Sequence, residues 1–235
     1  MQLKNAVALV TGANRGLGQA FAKALLRAGA VKVYAAARDP STIRLDGVEK
    51  IRLDVTRPED VAAAAEACRD VTLLINNAGI TRGSSFLATG SVEAARAELE
   101  TNYFGPLTLS KAFAPVLAAN GGGAIVNVLS VLSWLNLGSL ATYCASKAAA
   151  WSLTNGLRNE VRAQGTQVLA LHVGLMDTDM TKGIDAPKAD PADVVRQVLD
   201  AIVAGREEVL ADEVSRQVKR GLSAEPGSYF GDGSH

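Results

Sequence analysis

A short apolar run, Ala6–Val10, passes directly into Thr11-Gly12-Ala13-Asn14-Arg15-Gly16-Leu17-Gly18. Leu17, Ala20, Phe21, Ala24 and Leu25 then recur at helical spacing until Gly29 ends the segment. A strand delivered through a glycine-rich turn into a helix restricts the fold more than any other stretch of the chain. Glycines permit the tight turn and let backbone come close to a ligand. The helix N-terminus behind them offers unpaired N–H groups to a phosphate. In this position the turn reads as a seat for a dinucleotide pyrophosphate. Its spacing is Gly-x-x-x-Gly-x-Gly rather than the commoner Gly-x-Gly-x-x-Gly.

The rest of the chain repeats the alternation of strand and helix, which predicts an α/β fold with a parallel sheet covered on both faces. Further strands are expected at Val31–Ala36, Lys50–Leu53, Val71–Ile75, Ala124–Leu129 and Gln167–His172, with a short last one at Glu208–Ala211. One helix opens at Pro58-Glu59-Asp60, with proline and acids in its first turn. A long helical stretch from a Ser91 cap to about Ala119 should be kinked or interrupted at Gly105-Pro106 and Pro115. Another helix runs to about Arg162, and Asp190-Pro191 caps a further one. No interdomain linker or repeat divides the sequence, so residues 1–226 are read as one domain and 227–235 as a flexible tail.

Composition narrows the function classes. The 235 residues suffice for a large core, and 24 basic residues balance 24 acidic ones, so no charge field argues for nucleic acid. Cys68 and Cys144 lie far apart, which gives no disulfide framework, and two histidines supply no zinc set. No apolar run is long enough for a bilayer, and no cleavable signal peptide is evident. The expectation is a cytoplasmic protein without metal or membrane partner.

Chemistry is offered by Tyr143-Cys144-Ala145-Ser146-Lys147, with Ser130 upstream. Tyr143 and Lys147 are four apart and share a helix face. An ammonium beside a phenol favours the phenolate and should lower its pKa toward the working range. Such a tyrosine can protonate a carbonyl oxygen, or deprotonate an alcohol, while hydride moves at the carbon. No charged residue occurs from Ala112 to Ser146, so Lys147 would act in a dry setting. Alone, the Tyr-x-x-x-Lys spacing also fits two unrelated surface residues.

The end of the second strand should read the adenosine ribose, where a carboxylate suits a 2′-hydroxyl and arginine a 2′-phosphate. Here Arg38 stands there, and Arg15 lies within the glycine turn. Two guanidiniums can clamp a phosphate, so NADP(H) is favoured over NAD(H), although Asp39 is placed to pair with Arg38. Asp54 can accept from an adenine amino group or simply cap a turn.

Taken together these pieces resemble the short-chain dehydrogenase/reductase family along nearly the whole chain. The matching segments are Thr11–Gly18, Asp54-Val55, Asn76-Asn77-Ala78-Gly79, Asn102 with Gly105, Ser130, Tyr143 with Lys147, and Gly174 with Thr178. The resemblance implies a single-domain Rossmann fold, doubly wound, with about seven parallel strands. It implies that Asn77, Ala78, Gly79 and Thr101 line the cofactor together with Gly12, Asn14, Gly16, Leu17 and Gly18. Gly174 and Thr178 would touch the nicotinamide end. Asn102 would join a water relay to Lys147, Ser130 would hold the substrate oxygen, and Tyr143 would be the acid/base. Lys147 would also hold the nicotinamide ribose. Where the family usually has Pro-Gly, this chain has Val173-Gly174. The family also implies a homodimer or homotetramer.

The substrate end is less determined. Leu132, Trp134, Leu135, Leu137 and Leu140 lie between Ser130 and Tyr143 and either face an apolar substrate or pack in an interface or core. Arg82 could meet an acidic substrate group or lie on the surface. The segment 181–189 leaves room for only a small lid. The reading is an NADP(H)-dependent oxidoreductase acting on a carbonyl/secondary alcohol pair. The alternatives are an NADP(H)-sensing regulator without turnover, or an NAD(H)-dependent alcohol dehydrogenase of the same fold.

Overall fold

The computed structural model describes residues 1–230. Seven parallel strands form one sheet in the order β3-β2-β1-β4-β5-β6-β7. They are β1 (Val7–Thr11), β2 (Lys32–Ala37), β3 (Glu49–Arg52), β4 (Leu73–Asn76), β5 (Gly123–Val128), β6 (Thr166–His172) and β7 (Glu208–Leu210). The helices are α1 (Gly16–Arg27), α2 (Pro58–Ala67), α3 (Ser91–Leu99), α4 (Gly105–Ala119), α5 (Ala141–Glu160), α6 (Pro191–Val203) and α7 (Glu213–Gly221).

Alternation along the strands sorts apolar residues to two faces. Ala8, Val10, Val33, Leu73, Ile75 and Val126 pack with Phe21 and Leu25 of α1 and Val195 and Val198 of α6. Leu9, Tyr34, Leu74 and Ile125 pack with Val61 of α2, Phe113 and Leu117 of α4 and Leu157 of α5. Both faces being covered, the central strands β1, β4, β5 and β6 read as largely apolar runs, while the edge strand β3 is mostly charged and exposed. Phe113 is fully enclosed, and truncating such a side chain costs about 3–5 kcal/mol.

The sheet changes winding direction between β1 and β4, so the crevice for a ligand opens at the carboxyl ends of these neighbours. Beneath that crevice lies a buried amide pair. Asn76 Nδ2 donates to Asn127 Oδ1 at 2.8 Å across β4 and β5. Asn127 Nδ2 donates to Thr154 Oγ1 on α5 at 2.9 Å.

The long helix is interrupted, as its Gly-Pro pair suggests. Residues Glu100–Phe104 form a π-helical turn between α3 and α4. Gly105 follows because a Cβ there would lie 2.9 Å from Val55 Cγ2. Pro115 is accommodated inside α4 on its exposed side. Ser91 is not the expected cap. Gly90 precedes the helix, and the Ser91 hydroxyl donates to Phe86 O. The helix α7 lies outside the elements expected from sequence; it is short, with four charged residues among its nine. In the tail, Ser228–Phe230 make one 3-10 turn, while 231–235 lie outside the described residues. Among the described residues no helix is long and apolar enough to cross a membrane, and no cluster of metal-ligating side chains occurs.

Candidate active site

The cofactor half forms where β1 runs into α1. Gly12 and Gly16 adopt positive φ of 64° and 52°, which glycine tolerates without strain. Gly18 is required for a different reason: a Cβ there would lie 2.3 Å from Gly12 O and 2.5 Å from Asn77 Nδ2. Thr11 is buried and ties the turn to the next strand. Its hydroxyl donates to Ile75 O and accepts from the backbone N–H groups of Asn77 and Ala78 at 3.0 Å each. Asn77 Nδ2 donates back to Thr11 O at 2.8 Å. Leu17 is buried in the core, whereas Asn14 borders the turn, half-buried.

No side chain caps the first turn of α1. Its orphan N–H groups therefore face the crevice unpaired by any side chain, the arrangement an anionic pyrophosphate requires. Arg38 is exposed at the end of β2 and makes no ion pair among the described residues. The anticipated Arg38–Asp39 pair is absent: Asp39 instead caps the 3-10 turn Pro40–Thr42, accepting from Ser41 N at 2.9 Å. Arg15 carries a partner that sequence did not reveal, Asp179, at 3.3 Å. Asp54 Oδ1 is taken up by its own turn, accepting from Thr56 N and Thr56 Oγ1. Val55 is packed against Gly105.

The candidate catalytic side chains sit on α5, after β5 and on the π turn. That turn buries Asn102, while Thr101 beside it stays half-buried. Asn102 Oδ1 accepts from Ile80 N, and its Nδ2 donates to Ile80 O and to Ser146 Oγ, all at 2.9 Å. Ser146 Oγ donates in turn to Tyr143 O at 2.7 Å. Asn102 thus braces both the loop after β4 and the helix under Tyr143. Gly79 lets these groups converge: a Cβ there would sit 3.2 Å from Asn102 Oδ1 and 3.6 Å from Lys147 Nζ.

Lys147 is buried and donates to Val128 O at 2.9 Å, with Nζ 5.7 Å from the centre of the Tyr143 ring. Burial lowers the Lys147 pKa to about 8. Tyr143 departs from expectation: burial raises its pKa above the phenol range, and the Ser130 hydroxyl only partly opposes the shift. Desolvation disfavours both charged forms, and the ammonium is engaged by a carbonyl instead of the phenol. Ser130 is buried and caps the 3-10 turn Val131–Ser133, its Oγ accepting from Leu132 N at 3.1 Å.

The loop after Ser130 divides. Leu132, Leu135, Leu137 and Leu140 are half-buried, but Trp134 is core rather than pocket. Its indole stacks on His172 with centroids 3.8 Å apart. His172 Nδ1 lies 3.1 Å from Ser130 O; since a carbonyl cannot donate, Nδ1 carries the hydrogen. Burial lowers the His172 pKa to about 4. Trp151 and Leu153 on α5 also pack toward the sheet. Arg82 lies exposed, while its backbone N–H is held by the buried carboxylate of Glu98 at 2.6 Å. Glu98 went unnoticed in sequence because nothing distinguishes it from a solvated helix acid.

Beyond β6, Gly174 N donates to Asp212 Oδ2 at 2.6 Å. Thr178 opens the turn Asp179–Thr181, its methyl facing Gly16. A bridge between Met176 and Ala189 closes the base of the segment that joins β6 to α6.

The chain is similar to known proteins over most of its length. Residues 6–189 match the family described as short chain dehydrogenase. The chain is 35% identical over 195 residues to a 3-oxoacyl-(acyl-carrier-protein) reductase of Vibrio cholerae, covering 79% of each. A short chain dehydrogenase from Burkholderia cenocepacia, solved in complex with NADP, superposes with TM-score 0.92 and is 42% identical, covering 96% of each chain. A short-chain dehydrogenase/reductase from Burkholderia phymatum, solved in complex with NAD, gives 0.84 at 26% identity and 94% coverage of each. With sheet order, glycine turn and family match in agreement, the chain belongs to the short-chain dehydrogenase/reductase family.

Proposed function

We propose that this oxidoreductase uses NADP(H) to interconvert a carbonyl and a secondary alcohol, with Tyr143 as general acid/base. The observation that carries the reading is the convergence of Asn102, Ser130, Tyr143 and Lys147 beside the crevice at β1 and β4. When bound, the nicotinamide supplies or accepts the hydride. Thr11–Gly18, Asn77, Ala78, Gly79 and Thr101 would bind it, with Asp54 and Val55 at the adenine end and Gly174 and Thr178 at the nicotinamide end.

The protein's own residues handle the proton and the oxygen. The Ser130 hydroxyl, whose turn fixes its position, donates to the substrate oxygen as charge develops. Tyr143 gives its phenolic proton to that oxygen in reduction and recovers it in oxidation. Lys147 holds the ribose and replenishes the proton. Its depressed pKa of about 8 suits an amine that must exchange protons near neutrality. Asn102 holds the helix and the loop around this set.

The choice of NADP(H) over NAD(H) rests on Arg38 being free at the end of β2, with Arg15 in the turn. A cytoplasmic homodimer or homotetramer acting on an apolar carbonyl compound fits the same reading, and light scattering tests the assembly. The decisive experiment is Tyr143→Phe assayed over a panel of ketones, aldehydes and alcohols with both cofactors. Carbonyl reduction should fall by about 10²–10⁴ with cofactor binding kept. Near wild-type turnover in that variant refutes the mechanism, and binding of NADPH without turnover by the wild type would favour a sensor.

A further inference from the structure

We propose that the C-terminal helix α7 is a brace for the active site, and that Asp212 is its positioning residue. The proposal rests on the reading of Gly174 and Thr178 as the nicotinamide-side segment. Asp212 uses its two carboxylate oxygens on two different elements. Oδ1 accepts from Ser215 N at 2.8 Å and caps α7. Oδ2 accepts from Gly174 N at 2.6 Å, in the segment that leaves β6. That N–H belongs to the residue after Val173, and Val173 O accepts from Val131 N at 3.0 Å, next to Ser130. The approach is close: a Cβ on Gly174 would lie 3.1 Å from Asp212 Oδ2.

A second attachment points to the same role. Lys219 of α7 donates to Glu208 at 2.8 Å and lies 5.0 Å from the centre of the Trp134 ring. Trp134 stacks on His172, and His172 holds the carbonyl of Ser130. The helix therefore reaches both the Ser130 turn and the Gly174 segment. An N-cap alone needs one acceptor oxygen; the second oxygen of Asp212 is spent on the active-site loop. A charged acceptor strengthens that bond over a neutral one. Its effect would be to hold the Gly174 segment at the distance a nicotinamide needs, before any ligand arrives.

Asp212→Ala and Asp212→Ser in the full-length chain separate the two roles. Serine is as good an N-cap as aspartate but is too short to cap α7 and hold Gly174 together. Asp212→Ala should lower Tm by about 2–4 °C, and Asp212→Ser should recover that loss. Both should weaken NADPH binding by about tenfold, read as fluorescence-detected Kd, and both should raise KM for NADPH more than they lower kcat. Wild-type affinity in Asp212→Ser overturns the brace and leaves Asp212 a helix cap. A loss of affinity that follows Tm across the variants overturns it as well. A wild-type chain that binds neither NADPH nor NADH strikes the reading of the whole site, and the brace falls with it.

Discussion

Arg15 and Asp179 form an ion pair at 3.3 Å, joining the glycine turn to the 3-10 turn Asp179–Thr181. Both side chains are more than three-fifths exposed, so the pair contributes little to stability. Its importance is competitive, since Arg15 cannot serve Asp179 and a 2′-phosphate with the same geometry. Asp179→Ala should tighten NADPH binding by a few-fold and leave NADH unchanged. Arg38→Ala with Arg15→Ala should reduce the NADPH:NADH preference by about a hundredfold, two charge-assisted contacts being lost. Parallel titrations with the two cofactors check both statements, and equal weakening for NADH would discard the phosphate clamp.

Lys147 carries its amine into a dry place. Its folded pKa of about 8 lies below the ordinary 10.5, so between those values the unfolded chain binds more protons and stability rises with pH. Over that window the wild type should gain on the order of 3 kcal/mol relative to Lys147→Met. The variant should lose catalysis. Urea unfolding at pH 7.5, 9 and 10.5 measures the difference, and parallel curves for the two proteins would contradict it.

His172 acts at the other end of the pH scale. Its folded pKa is lowered to about 4, against an ordinary 6.5, so the unfolded state takes up the proton first on acidification. The stability it confers is complete above pH 6.5 and is lost as pH falls toward 4, by on the order of 3 kcal/mol. His172→Phe keeps a ring against Trp134 and should flatten this acid limb. A variant that melts as steeply below pH 6 as the wild type places the sensitivity elsewhere.

Gly18→Ala tests the turn without touching charge. Its methyl would meet Gly12 O at 2.3 Å, a backbone atom that cannot step aside alone. NADPH affinity should drop at least tenfold, with destabilisation of about 1–3 kcal/mol from the strained turn. Calorimetric binding beside thermal melts separates the two effects.

What sequence made legible was whatever local chemistry dictates. The glycine turn, the alternation of strands and helices, and the break at Gly105-Pro106 each follow from backbone preferences and apolar spacing. Element ends shifted by a residue or two, as at β1 and β5, because neighbouring strands rather than propensity set them. The family motifs pointed to Asn102, Ser130, Tyr143 and Lys147, and the fold brings these together. Relations across the fold stayed hidden. Asp179 on Arg15, Asp212 on Gly174 and Glu98 on Arg82 join residues far apart in the chain, and acids of this kind look like ordinary surface charge. The phenol's shift also ran opposite to expectation, since helical spacing places a lysine near a tyrosine but does not weigh attraction against desolvation.

The amide bridge from Asn76 to Asn127 has a consequence for how accurately the two halves of the site meet. Asn76 directly precedes Asn77, and Asn127 stands three residues before Ser130. Sliding β5 by one residue against β4 would displace the Ser130 hydroxyl by about 3.3 Å and turn Asn127 away from its mate. Two apolar strands alone offer no such penalty for misalignment. The paired amides act as a dowel, making the spacing between Asn77 and Ser130 a property of strand assembly instead of a setting left to the loops.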